Sequence, residues 1–94
     1  MSYSTIDPII KQWVSQNTLV LTITYKDYEV RSVEIIDSKG KRYQIWVEEP
    51  AKNHDIKIIA WDFKKRKVEF VADKSDLRQK LDKALFTVKS WMPV

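Results

Sequence analysis

The chain has no cysteine, a single histidine, His54, and a single glycine, Gly40, in 94 residues. Without cysteine there is no disulfide scaffold, no thiolate metal site and no cysteine nucleophile. One glycine excludes a glycine-rich phosphate loop. Ser32, Ser38, Ser75 and Ser90 stand in no elbow-like context, and the lone imidazole has no evident partner. Glu48, Glu49, His54 and Asp55 gather two acids, an imidazole and a third acid, but not at the spacing of a metal motif, so the segment reads as a hydrophilic loop. No apolar run approaches the roughly 20 residues that span a bilayer. The opening MSYSTIDPII has neither the basic region nor the apolar stretch of a signal peptide. These absences predict a non-catalytic protein without cofactor or metal, soluble and cytoplasmic.

What is present describes architecture. The apolar fraction is 44% and the charged fraction 32%, a globular balance. The length predicts one domain over residues 1–94. A chain this short buries only about two thirds of its unfolded surface. Its large side chains, Trp13, Trp46, Trp61 and Trp91, are therefore costly to leave in water. The net charge of +4 is spread along the chain, +1 as far as Val47 and +3 beyond it.

Hydrophobic periodicity predicts a helix over Thr5 to Gln16, with Ser4 or Asp7 as cap, Pro8 in the first turn, and Ile6, Ile9, Ile10 and Trp13 on one face. Alternation then predicts a strand from Leu19 to Lys26, a tight turn at Lys26-Asp27, and a second strand from Tyr28 to Ile36. In that second strand Tyr28 and Val30 have one parity, and Val33 and Ile35 the other. Either a β-bulge near Arg31-Ser32 reunites them or the strand is apolar on both sides. Asp37-Ser38-Lys39-Gly40 is a hairpin turn, with Gly40 free to take positive φ. A third strand, Lys41 to Glu49, points Tyr43, Ile45 and Val47 inward and Arg42, Gln44, Trp46 and Glu48 outward.

After a loop comes a strand from Asp55 to Phe63, apolar on both parities, as an interior strand would be. A second hairpin turn spans Asp62 to Lys67, with Arg66 expected at positive φ. A fifth strand runs from Val68 to Ala72. Leu77, Leu81, Ala84, Leu85, Val88 and Trp91 mark a closing helix that Asp73 or Ser75 would cap.

Short connections favour an antiparallel meander, because parallel neighbours need long crossovers. Both helices carry one apolar stripe. The expected fold class is therefore α+β: a two-layer sandwich of roughly five antiparallel strands, with the N-terminal and C-terminal helices on one sheet face. The expected core face holds Leu21, Ile23, Val30, Ile45, Val47, Ile58 and Phe70.

By parity the other face carries Trp46, Ile59, Trp61, Phe63 and Val71, ringed by Arg42, Lys57, Lys67, Glu48 and Glu69. A sheet face left to water is normally polar. Either part of the chain covers these side chains, or they bind something. A protein partner or a second copy of the chain would use the apolar area, with tryptophan as anchor. Single-stranded nucleic acid would stack on Trp46 and Trp61 and meet Arg42, Lys57 and the basic turn Lys64, Lys65, Arg66 and Lys67. The turn taken alone reads as a solvated tip that discourages edge pairing. The leading expectation is a non-catalytic adaptor, assembly or regulatory module that binds protein through Trp46, Trp61 and Phe63. Nucleic acid is the alternative.

The order helix, antiparallel strands, helix resembles that of frataxins in outline. Frataxins present an acidic surface along their first helix and strand, whereas Asp7 is the only acid in the first helix here. The resemblance is one of architecture and implies no function.

Overall fold

A computed structural model describes residues 3–17, 20–25, 29–48 and 50–92, with backbone alone for 20–25, 29 and 30. A 3-10 turn, Tyr3–Thr5, leads into α1, Asp7–Gln16. Five strands follow: β1 Val20–Tyr25, β2 Glu29–Ile36, β3 Arg42–Val47, β4 Ile56–Trp61 and β5 Lys67–Ala72. Helix α2, Leu77–Trp91, closes the chain. The sheet order is β1-β2-β3-β4-β5, antiparallel throughout, so it is the expected meander. The turn expected at Lys26-Asp27 lies outside the described residues, as do the side chains of Leu21, Ile23 and Val30.

Both helices pack on one sheet face. Ile6, Ile10 and Trp13 share a core with Val33, Tyr43, Ile45, Val47, Ile56, Ile58 and Ala60 of the sheet, and with Leu77, Leu81, Ala84, Leu85 and Val88 of α2. The α2 stripe is buried as expected from Leu77 to Val88, and Trp91, its last member, is half-buried against the core, because the period of 3.6 puts these side chains on a single face. A bond between the helices adds to this packing: the Trp13 indole Nε1 donates to Asp82 Oδ1 at 2.8 Å. Asp82 therefore does more than solvate the polar face of α2.

The β-bulge does not form. Pairing of β2 with β1 and with β3 runs without interruption, from Val20↔Glu34 to Tyr25↔Glu29 and from Arg31↔Val47 to Ile36↔Arg42. Arg31 accordingly takes an inward position beside Val47, and its side chain is 7% exposed. Asp7 neutralises it through two bonds, Nε to Oδ1 at 2.8 Å and Nη2 to Oδ2 at 2.9 Å. The guanidinium also lies 4.1 Å from the centre of the Tyr3 ring, and the Tyr3 hydroxyl donates to the Val47 carbonyl at 3.1 Å.

Asp7 is therefore an ion-pair partner rather than a helix cap. The cap position of α1 is Ile6, with no side-chain capping bond, and Asp76 precedes α2 in the same way. Asp73 instead closes the turn before α2 by accepting from the backbone N–H groups of Ser75 and Asp76.

Candidate functional site

The two hairpin turns are built on the same plan. In the first, Asp37 Oδ1 accepts the backbone N–H groups of Lys39 and Lys41, at 2.8 and 3.0 Å. In the second, Asp62 Oδ1 accepts those of Lys64 and Arg66, at 2.9 and 3.0 Å. Backbone bonds Asp37 N to Lys41 O and Asp62 N to Arg66 O close each loop. An aspartate that satisfies two amides fixes a short loop whose remaining side chains point outward. Burial works against both carboxylates. The backbone N–H groups and the charge of Lys41 outweigh it, so both titrate below the usual carboxylate range.

The turns differ in where they bend. Gly40 has φ of 83°, as its lack of a Cβ allows. In the second turn the positive φ falls on Phe63, at 65°, and not on Arg66. The expected Arg66 conformation is thus replaced by one that is rarer still, since a bulky side chain seldom sits there. The strain presents Phe63, 38% exposed, on the sheet face opposite the helices. Its ring lies 4.7 Å from that of Trp61, and the Arg42 guanidinium sits 5.6 Å over it.

This outer face has an apolar patch of its own. Ile59 is only 5% exposed yet is not part of the helix-side core. It pairs with Trp46 in the register and stands two positions before Trp61 on β4. Trp46 and Trp61 are half-buried. The Trp46 indole nitrogen is buried with no hydrogen-bond acceptor. Ile36 and Val71, 61% and 50% exposed, extend the apolar surface toward β2 and β5.

The charges among them are matched across strands. Arg42 grips Glu34 through two bonds of 2.7 Å, and Lys57 lies 4.0 Å from Glu69. The Glu34 carboxyl is held below its usual range by the Arg42 hydrogen bond, which outweighs desolvation, with the Arg42 charge adding less.

Of the residues singled out in the sequence, Trp46, Trp61, Phe63 and Arg42 come together, and Lys67 joins them opposite Trp61 in the register. Lys57 lies further along the face, opposite Val71. Lys64 joins Arg42 and Phe63 in lining a cleft of about 550 Å³ that also includes Lys39, Gly40 and Lys41 of the first turn. Lys65 and Arg66 do not line that cleft. They line a second one, with Trp91 of α2. Lys39, Lys41, Trp91 and Ile36 were not evident as site residues in the sequence. The one signal for the lysines is the shared Asp-x-x-x-Lys/Arg pattern of the two turns.

Among the described residues no group of three or more His, Asp or Glu converges as a metal site would require, and no helix is long and apolar enough to cross a membrane. Phe63→Gly should relieve backbone strain of about 1–2 kcal/mol and forfeit a ring contact worth about 0.5–1.5 kcal/mol. A urea melt should therefore show stability nearly unchanged; a loss above about 2 kcal/mol would mean that the ring is a packing element rather than a presented one. No family model, curated protein or solved structure matches this chain.

Proposed function

We propose that the protein is a non-catalytic binding module that docks a protein partner, or a second copy of itself, on the outer sheet face around Trp46, Trp61 and Phe63. The observation that carries this reading is the second apolar cluster, centred on Ile59 and separate from the helix-side core. Exposed apolar surface of this kind costs free energy in water and is recovered when a partner covers it. Two further features support a protein over a polyanion on this face. Arg42 and Lys57 are already matched by Glu34 and Glu69, which leaves Lys67 as the cation of this face without an ion pair among the described residues, so the face offers more area than potential. The Trp46 indole N–H, buried without an acceptor among the described residues, is a donor that a docked carbonyl would satisfy.

Single-stranded nucleic acid is the second reading. Lys64, next to Phe63, has no side-chain partner among the described residues, so stacking and phosphate contact would be adjacent there.

The test is photocrosslinking in cells that express the full chain with benzoylphenylalanine at Phe63 or Val71, and at the exposed loop residue Lys74 as control. Discrete protein adducts from the two face positions, absent from the control, are the expected result. Nucleic-acid adducts would favour the second reading. Adducts no more frequent at the face than at Lys74 would overturn both.

A further inference from the structure

The second cleft lies between the two turns and the end of α2. It is an open cleft of about 330 Å³, lined by Lys41, Tyr43, Asp62, Lys64, Lys65, Arg66 and Trp91. The two turns, residues 37–42 and 62–67, carry seven of the chain's cations and only two acids, Asp37 and Asp62. Their net charge of +5 exceeds the +4 of the whole chain, so the rest of the molecule is slightly acidic. The fold thus concentrates at one end a charge that is diffuse in the sequence. Concave, low-dielectric walls focus such a field.

The acids here do not cancel it. The Asp62 carboxylate is taken up by two backbone N–H groups and by Lys41 Nζ at 3.6 Å. Asp37 is engaged by two backbone N–H groups and by the Tyr43 hydroxyl at 3.2 Å. Lys64, Lys65 and Arg66 have no side-chain hydrogen bond or ion pair among the described residues. These three cations are therefore available to an anion. Arg66 adds planar, bidentate recognition of oxyanions. Trp91, half-buried, supplies an aromatic wall.

We propose that this cleft binds an oligophosphate, either bare or as the phosphate chain of a nucleotide, with Lys64, Lys65 and Arg66 as its charge and Trp91 as its wall. The site shares Lys64 with the cleft beside Phe63, but its wall is Trp91 and it does not rest on the protein-docking reading. Trp91 reports on one, Trp46 and Trp61 on the other.

The experiment is a nitrogen-15 NMR titration of the full chain with sodium tripolyphosphate and, separately, with ATP, in a background of physiological salt and against a sodium chloride control of matched ionic strength. The amides of Lys64, Lys65 and Arg66 and the Trp91 indole should move along a saturating curve with either probe. Lys65→Glu with Arg66→Glu should weaken binding at least tenfold while the spectrum stays dispersed. Lys52→Glu, in the exposed loop at the other end of the sheet, should change it less than threefold. Lys64→Glu alone serves if the double variant does not fold. Tighter binding of ATP identifies a nucleotide as the source; equal binding identifies a bare polyphosphate. Shifts that the chloride control reproduces, or that never saturate, overturn the site. So does an equal loss in Lys52→Glu, which would mean diffuse attraction. Movement confined to the Trp46 and Trp61 indoles would place phosphate on the other face and overturn it as well.

Discussion

Trp13→Ala should lower the free energy of unfolding by about 4 kcal/mol, the usual cost of emptying a fully buried tryptophan site. Trp13 is 0% exposed and belongs to the core that both helices share with the sheet. Its indole N–H also reaches Asp82 across the helix pair, so the substitution removes volume and a directional contact together. For a chain of this length the total stability is of the same order, and the variant should be largely unfolded in moderate urea. Trp13→Phe separates the two effects. It keeps most of the apolar volume and loses the bond, while Asp82, being exposed, stays hydrated. The expected loss is then about 1–2 kcal/mol. Equilibrium urea unfolding followed by far-ultraviolet circular dichroism measures both. A Trp13→Ala loss below about 1.5 kcal/mol would place α1 outside the core.

Arg31→Ala should cost on the order of 3 kcal/mol, because it leaves a partly enclosed carboxylate without its counter-ion. The arginine side chain is 7% exposed and that of Asp7 22%, so the pair is buried on one side and wet on the other. That places the cost at the low end of the range for broken buried pairs. Replacing both residues, Arg31→Met with Asp7→Ala, should recover much of the loss, since no charge is then left behind. A double variant no more stable than Arg31→Ala would show that the stacking on Tyr3, rather than the charge pair, is what matters.

The pair also sets a pH dependence. The Arg31 hydrogen bond, opposed by burial and helped by the charges of Arg31 and Lys11, holds the Asp7 carboxyl below its usual value. A carboxylate with a lowered native pKa binds fewer protons in the folded state than in the unfolded one. Its stabilisation is complete above the unfolded value of about 4 and is lost as pH falls through the native value. Asp7→Asn should be less stable than the parent at neutral pH, and the gap should close on acidification. The acid limb will not flatten wholly, because Asp37, Asp62, Asp73 and Glu34 are lowered too.

The parts of the fold legible in the sequence are those written in local periodicity. The stripe of α2, the alternation of β3 and the two-sided apolar pattern of β4 each state their burial within a few residues. Arg31 shows where that stops. A charge at an inward position looks like a break in the pattern, and the residue that makes it tolerable lies 24 positions earlier, on α1. The second turn is a similar case. Nothing in Asp62-Phe63-Lys64-Lys65-Arg66 tells which residue takes positive φ, because neither candidate is a glycine. The aromatic face was readable from parity in β3 and β4. The basic turn from Lys64 to Lys67 was readable as well, but its convergence with Lys39 and Lys41 was not, because each turn taken alone is a modest cluster beside an acid. Only the sheet order puts them at the same edge of the molecule.

That sheet order has a kinetic side. Every strand pairs with its immediate neighbours in the chain, so each pairing closes a short loop and costs little chain entropy. The contact between α1 and α2 is the opposite case: Trp13 and Asp82 are 69 positions apart. Zipping from hairpin to hairpin therefore runs ahead of the closure that brings the two ends of the chain together. The β3–β4 hairpin lays Trp46, Ile59 and Trp61 side by side before the N-terminal helix has a groove to enter. Both faces of the sheet take shape with its hairpins, and α1, whose contact with α2 closes the whole chain, is the part left to dock last.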